Sequence, residues 1–242
     1  MKRICLHSKK TYLCTENYRG RKMKRLVIFD LDGTLLNTIA DLGNSTNYAL
    51  KRLGYPTHDI PSYCFRVGNG INKLFERALP ESERTEINIL KVRKFFMEYY
   101  NEHCADNTCP YPGISVLLDS LQERGVMMAV ASNKYQEASR KLISHYFAHI
   151  PFVAVFGQRD GVERKPNPAV VFEIMNIAGV SANEVLYVGD SGVDMETALN
   201  AEVTACGVTW GFRPKSELQK FNPAYLVDSP EAILLLLDKE NV

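Results

Sequence analysis

The chain has 242 residues and a mass of 27.4 kDa, enough for one large domain or two unequal ones. Its composition, 45% apolar and 24% charged, is typical of soluble globular proteins and excludes disordered and fibrous folds. The net charge is +1, but residues 1–25 hold nine Lys/Arg and one acid, so the remainder of the chain is mildly acidic. A mildly acidic body argues against a nucleic-acid-binding globule.

Residues 1–23 are a basic N-terminal extension that we expect to be solvated and poorly ordered. The alternative is an arm that binds nucleic acid or a membrane surface. No apolar stretch follows these charges, so they are not a secretory signal, and the best apolar run, 233–237, is far shorter than the roughly 18 residues of a membrane span. The six cysteines contain no CxxC pair and are typical of reduced thiols. The sequence therefore predicts a cytoplasmic protein without nucleic acid or membrane among its partners.

The first predicted elements are one strand and a long helical stretch. Residues 24–31 form a short apolar run without alternation, typical of a strand buried on both faces. Three helical patterns follow, at residues 39–53, 71–79 and 83–104. A helical insertion after the first strand would form a separate small domain, and the Pro-Gly pair at 112–113 marks the return of the chain to the core.

After this point, strand and helix patterns alternate. The strand patterns lie at residues 126–131, 152–156 and 185–188, with weaker ones at 203–208 and 224–227, and helical patterns such as 114–124 and 168–178 separate most of them. This order predicts right-handed crossovers and a parallel sheet. We therefore predict an α/β protein whose Rossmann-like parallel sheet core, residues 24–40 and 108–242, carries an inserted α-helical cap domain, residues 41–107.

Two acids, Asp30 and Asp32, close the first strand in the run Asp-Leu-Asp-Gly-Thr. Ligands of open parallel sheets bind beyond the carboxyl ends of the strands. Repulsion between two such carboxylates calls for a cation or a shared proton, and an Asp carboxylate can attack phosphorus to give an aspartyl-phosphate. The alternative is that both acids belong to a turn that caps the next element.

Polar residues also follow the later strands. They are Ser132 and Asn133, which can donate to an oxyanion; Lys165, held by the prolines that follow it; and the acids Asp190 and Asp194 around a helix start. Each alone also fits an ordinary turn, a surface lysine or a helix cap. Together they provide what phosphoryl transfer needs: a nucleophile, carboxylates for Mg²⁺ and positive charge for the phosphate oxygens.

With these motifs, residues 25–228 resemble a haloacid dehalogenase-superfamily phosphatase. The resemblance implies a Mg²⁺-dependent phosphomonoester hydrolase that forms an aspartyl-phosphate. It makes Asp30 the nucleophile and Asp32 the general acid and base. It further implies catalytic roles for Ser132, Asn133 and Lys165, and a Mg²⁺ site made by Asp30, the backbone carbonyl of Asp32, Asp190 and, in support, Asp194.

Within the helical insertion, residues 67–70 and 76–79 resemble the cap of bacterial phosphoglycolate phosphatases. Residues 207–213, near the C-terminus, are also similar to that group. The resemblance implies a small phosphorylated metabolite as substrate, with 2-phosphoglycolate the leading candidate. Gly68 and Gly70 would let the backbone approach the substrate, and Arg66 would meet its carboxylate. The alternatives are a tight turn between helices and an exposed arginine. Two positions depart from the family pattern: Asn37 stands where Asp is common and Glu202 where Gly is usual.

Three other functions remain open at this stage. A mutase or pyrophosphatase of the same superfamily would use the same chemistry. A signalling or binding module could use a phosphorylated Asp as a switch, although it would have no need for an acid at Asp32. An interaction protein could keep the fold without catalysis. Either a monomer or a homodimer is compatible with the sequence.

Overall fold

The computed structural model describes residues 23–240, so the extension predicted for residues 1–23 lies outside the described residues except for Met23. The strands are β1 (Leu26–Phe29), β2 (Leu36–Asn37), β3 (Cys109–Pro110), β4 (Met127–Tyr135), β5 (Ala154–Gln158), β6 (Val185–Gly189), β7 (Thr204–Val208) and β8 (Tyr225–Val227). Six of them form one sheet in the order β5-β4-β1-β6-β7-β8, and all five pairings are parallel. The predicted α/β fold with a parallel sheet is confirmed.

Strand β1 lies in the centre of this sheet and is fully buried, as its unbroken apolar run predicts. Because side chains alternate along a strand, Val27 and Phe29 pack into one apolar cluster and Leu26 and Ile28 into another. The sheet therefore separates two apolar layers. The helices of the sheet domain are α4 (Ile114–Glu123), α5 (Gln136–Tyr146), α6 (Ala169–Ala178), α7 (Gly192–Asn200), α8 (Lys215–Gln219) and α9 (Pro230–Glu240).

The segment between β2 and β3 is helical, as predicted. It contains α1 (Ile39–Arg52), α2 (Ile71–Ala78) and α3 (Glu86–His103), with 3₁₀ turns at Ile60–Phe65 and Glu81–Glu83. Helix α3 begins three residues later than predicted because Thr85 caps it, accepting a hydrogen bond from the backbone N–H of Asn88. Helix α1 packs against α3. None of the helices within residues 23–240 is long and apolar enough to cross a membrane.

Two short strands that the sequence patterns missed mark where the chain leaves the sheet domain and returns. Strands β2 and β3 pair antiparallel, with Leu36 opposite Pro110. Beside them, the buried carboxylate of Asp41 accepts hydrogen bonds from the backbone and side chains of Asn107 and Thr108, all between 2.8 and 3.0 Å. The first helix of the insertion is thus tied directly to its last residues.

Candidate active site

The predicted site residues meet at the carboxyl ends of three neighbouring strands. Asp30 follows β1, Asp190 follows β6, and Ser132 and Asn133 lie near the end of β4. Five of the predicted catalytic and metal-binding residues, Asp30, Asp32, Ser132, Asn133 and Asp190, line one cavity. The helical insertion closes it from the opposite side with apolar residues, namely Leu42, Val67, Ile71 and Leu74. The cavity therefore has a polar floor on the sheet and an apolar roof on the insertion.

Lys165 reaches this floor from the loop between β5 and α6, and its side chain is only 2% exposed. Its ammonium nitrogen lies 2.7 Å from Oδ1 of Asp194 and 3.0 Å from Oδ1 of Asp30. Although burial works in the opposite direction, these two carboxylates raise the pKa of Lys165 well above its usual range. The side chain is therefore a fixed positive charge.

Asn133 holds the backbone of Lys165 in place. Its Oδ1 accepts a hydrogen bond from the Lys165 backbone N–H at 3.0 Å, and its Nδ2 donates to the Lys165 carbonyl at 3.0 Å. The same Nδ2 also donates to the carbonyl of Gly68 in the insertion at 3.1 Å. Its side-chain amide, expected to donate to an oxyanion, therefore positions the lysine and contacts the roof of the cavity.

Asp30 is the buried carboxylate with an incomplete set of partners. The Lys165 ammonium lies close to it but donates its hydrogen bonds to the Ala131 carbonyl and to Asp194, so Oδ1 of Asp30 accepts none among the described residues. Burial, opposed by Lys165 and aided by Asp194 and Asp32, raises the pKa of Asp30 to about 7. A buried oxygen that has an ion pair but no aligned hydrogen bond can still bind a ligand or a reacting atom.

Three carboxylates, Asp30, Asp190 and Asp194, offer oxygens within 4.8 Å of one another. When ionised, these three carboxylates exceed the one contacting ammonium, that of Lys165, by two negative charges. Burial, and then the charges of Asp194 and Asp30, raise the pKa of Asp190 well above its usual range. A hard divalent cation with oxygen ligands matches both this donor set and its charge, so these residues could hold a metal ion.

Asp190 approaches the Asp30 loop so closely that only glycine fits there. Gly33 has a φ of +88°, and a Cβ at this position would collide with the Asp190 carboxylate. The carboxylate accepts hydrogen bonds from the Thr34 hydroxyl at 3.3 Å and from the Phe212 backbone N–H at 2.7 Å. The glycine of the predicted motif is thus a requirement of close packing between two strand ends.

The oxygens of Asp194 are both engaged within the protein. Oδ1 contacts Lys165, and Oδ2 accepts hydrogen bonds from the backbone N–H and the hydroxyl of Ser191 at 3.1 and 2.6 Å. The Ser191 hydroxyl in turn caps helix α7. Because both oxygens are engaged, the supporting role of Asp194 in a metal site stays a prediction.

Asp32 points to a different set of partners. Its Oδ1 accepts a hydrogen bond from the Thr38 hydroxyl at 2.7 Å, and both oxygens accept from the ammonium of Lys134 at 3.1 and 3.2 Å. No pattern in the sequence singles out Lys134, because the predicted strand ends at residue 131 and the pairing of β4 with β5 is irregular between Ala131 and Tyr135.

The predicted cap residues separate into two groups. Gly68 and Gly70 line the cavity, whereas Arg66 does not. The Arg66 guanidinium donates to the Ser62 carbonyl at 2.8 Å and lies 3.3 Å from the Nδ1 atom of His58. The arginine that lines the cavity is instead Arg213, which donates to the Val67 carbonyl at 2.9 Å. It belongs to residues 207–213, for which the sequence predicted no individual role. Arg66 as a substrate ligand stays a prediction.

Comparison with known proteins agrees with this geometry. Residues 27–208, three quarters of the chain, match the family model described as haloacid dehalogenase-like hydrolase. The chain belongs to this family. The resemblance predicted from the sequence, and with it the prediction that the chain is an enzyme, is confirmed.

Several relatives of the chain within the haloacid dehalogenase-like family are named phosphoglycolate phosphatase. The phosphoglycolate phosphatase of Vibrio parahaemolyticus is 32% identical over 215 residues, which cover 87% of this chain and 94% of the relative. That of Aquifex aeolicus is 30% identical over 227 residues, 90% and 99% of the two chains. A crystal structure from Lactobacillus delbrueckii, provisionally named phosphoglycolate phosphatase, superposes with a TM-score of 0.84 at 32% identity, covering 89% of this chain and 99% of its own.

Proposed function

We propose that the protein is a Mg²⁺-dependent phosphomonoesterase that acts on a small phosphorylated metabolite, 2-phosphoglycolate above all, through an aspartyl-phosphate on Asp30. The observation that carries the proposal is Oδ1 of Asp30, which lies at the carboxyl end of the central strand, 3.0 Å from a fixed ammonium, and accepts no aligned hydrogen bond among the described residues. The names of the relatives support the choice of substrate.

In the first half of the reaction, a carboxylate oxygen of Asp30 attacks phosphorus, and the bond from phosphorus to the leaving oxygen breaks. Asp32 gives its proton to that oxygen, so the product leaves as an alcohol. In the second half, Asp32 takes a proton from water as the water oxygen attacks the same phosphorus. The phosphorus–Asp30 bond then breaks, inorganic phosphate leaves, and both side chains return to their initial states.

Positive charge at the phosphate comes from two sources. Lys165 provides a permanent one, because its ammonium lies between Asp30 and Asp194. Mg²⁺ held by Asp30, Asp190, the backbone carbonyl of Asp32 and, in support, Asp194 would neutralise the carboxylates and the phosphate oxygens when bound. Without that cation, the pKa of Asp30, about 7, leaves much of the nucleophile protonated at neutral pH.

The test is a hydrolysis assay on chelator-treated protein with 2-phosphoglycolate, a three-carbon phosphate, a sugar phosphate, pyrophosphate and phenyl phosphate. We expect Mg²⁺ but not Ca²⁺ to restore turnover, because Ca²⁺ accepts more ligands at longer distances. Asp30→Asn should lower turnover by about 10³-fold or more, whereas Asp119→Asn, which changes an exposed acid of α4, should not. Full activity in excess chelator, or an Asp30→Asn variant within about tenfold of wild type, contradicts the mechanism. A preference for sugar phosphates or pyrophosphate contradicts the substrate.

A further inference from the structure

Lys134 is a buried cation for which the proposed chemistry has so far no use. Its side chain is 2% exposed, although it belongs to the strand that also bears Ser132 and Asn133. The ammonium has one carboxylate partner among the described residues, Asp32, whose side chain is 18% exposed. A lysine is rarely buried to this extent without a specific partner, so the pair indicates a local purpose.

The insertion provides the other half of the surroundings of Lys134. The ammonium nitrogen lies 4.9 Å from the ring centroid of Tyr100 in helix α3, and this tyrosine is fully buried. Burial first, and then the charge of Asp32, raise the pKa of Tyr100 well above its usual range, so the ring is neutral and offers its face to the cation. Lys134 is therefore held between a carboxylate of the sheet domain and an aromatic ring of the helical insertion.

The two oxygens of Asp32 are not equivalent in this arrangement. Oδ1 accepts hydrogen bonds from both Thr38 and Lys134, whereas Oδ2 accepts only from Lys134 among the described residues. A carboxylate oxygen has two lone-pair positions, so Oδ2 is the oxygen with room for a proton. The contacts thus leave Oδ2 as the oxygen that can carry a proton, and they fix the plane of the carboxyl group.

We propose that Lys134 is a positioning residue for Asp32: its ammonium, held under the Tyr100 ring, orients the carboxyl group so that Oδ2 delivers the proton to the leaving oxygen. This inference rests on the proposed function, because Lys134 acts only through the acid which that function requires. Lys134 itself transfers no proton. Since Tyr100 belongs to the insertion, the orientation is complete only while the insertion covers the cavity.

Leaving-group chemistry separates this role from a structural one. Nitrophenolate departs readily without a proton, whereas the more basic phenolate needs one, so phenyl phosphate depends on the acid and 4-nitrophenyl phosphate much less. The two substrates have similar shapes and no carboxylate. Phenol release is measured in the first turnover, before water attacks the intermediate. The ratio of the two rates in one sample is independent of the fraction of protein that is folded.

We expect Lys134→Met to lower kcat/KM for phenyl phosphate by about 10- to 100-fold and for 4-nitrophenyl phosphate by at most about threefold. Asp32→Asn should show the same selectivity, and the double variant should resemble Asp32→Asn, because both changes act on one group. The matched control is Lys141→Met, which removes an exposed lysine that also contacts α3, through the Asn101 carbonyl. Its rate ratio should equal that of wild type.

Equal losses on both substrates, or additive losses in the double variant, overturn the role of Lys134 while leaving the phosphatase intact. An Asp30→Asn variant that still hydrolyses both substrates overturns the proposed mechanism and this inference with it. If the Lys141→Met control changes the ratio of the two rates in the same way as Lys134→Met, the effect comes from the fit of the insertion. That result likewise overturns the role of Lys134.

Discussion

The ammonium nitrogen of Lys165 lies 2.7 Å from Oδ1 of Asp194, and both side chains are almost fully buried. Asp30 and Asp190 lie beside this ion pair, so the site contains more negative than positive charge. Such an arrangement holds a functional group in place at a cost in stability. The cost can be measured.

Removing the ammonium should destabilise the protein in a pH-dependent way. Lys165→Met leaves three buried carboxylates without their cation, and we expect a loss of about 3 kcal/mol or more in the free energy of unfolding at pH 8, measured with urea in excess chelator. Burial raises the pKa of Asp30 and Asp190, so these acids take up protons as the pH falls. The deficit should therefore be smaller at pH 5 than at pH 8. A deficit that grows towards low pH would contradict this charge balance.

Neutralising Asp190 should have the opposite effect on stability. Because the pKa of Asp190 is raised in the folded state, its ionisation opposes folding at neutral pH, and this penalty increases as the pH rises towards that pKa. Asp190→Asn keeps an acceptor for the Phe212 N–H and places its amide against the Thr34 hydroxyl, which can accept. In chelator we expect an increase of about 1 kcal/mol in the free energy of unfolding, measured with urea. In Mg²⁺, the turnover of the variant should be at least about 100-fold below that of wild type.

The Asp190→Asn variant also tests where the cation binds. Mg²⁺ should raise the thermal midpoint of wild type, because a ligand that binds only the folded state stabilises it, and should raise that of the variant much less. Equal shifts in both proteins would place the ion elsewhere.

The insertion can be tested for substrate choice at Gly70. This glycine has a φ of +82° just before α2, and a Cβ there would lie 3.3 Å from the Arg164 guanidinium. We expect Gly70→Val to raise KM for 2-phosphoglycolate at least about tenfold more than KM for phenyl phosphate. Gly54→Val is the matched control, since Gly54 has a φ of +75° with no atom near its Cβ position. Equal effects on the two substrates would reduce Gly70 to a turn residue.

One departure from the family pattern has a structural cost. Glu202, where glycine is usual, is exposed and has a φ of +55°, a conformation that non-glycine residues adopt with strain. We expect Glu202→Gly to raise the free energy of unfolding by about 0.5–1 kcal/mol, the relief of strain being partly offset by the greater entropy of the unfolded chain. Asn222→Gly, at φ +46°, should gain less because asparagine tolerates this region. Equilibrium urea unfolding of both variants decides the matter.

The sequence predicted those parts of the structure that depend on local pattern. The apolar run of β1 placed Asp30 at the end of a buried strand, and the same argument brought Asn133 and Asp190 to one edge of the sheet. Strands β2 and β3 could not be found in this way, because two residues carry no periodicity and their pairing joins segments about 70 residues apart. Arg66 and Arg213 show the same limit: which of two arginines lines the cavity depends on how the insertion packs against the sheet domain.

The antiparallel pairing of β2 with β3, next to the Asp41 hydrogen bonds, has an evolutionary consequence. The chain departs and returns at adjacent points, so an insertion of any length or shape that begins and ends there leaves the strand register of the sheet unchanged. Recognition of a new substrate can then be acquired by exchanging one continuous stretch of gene, while the residues that perform the reaction are inherited intact. Hybrid enzymes joined at Asn37 and Cys109 would follow the same route in the laboratory.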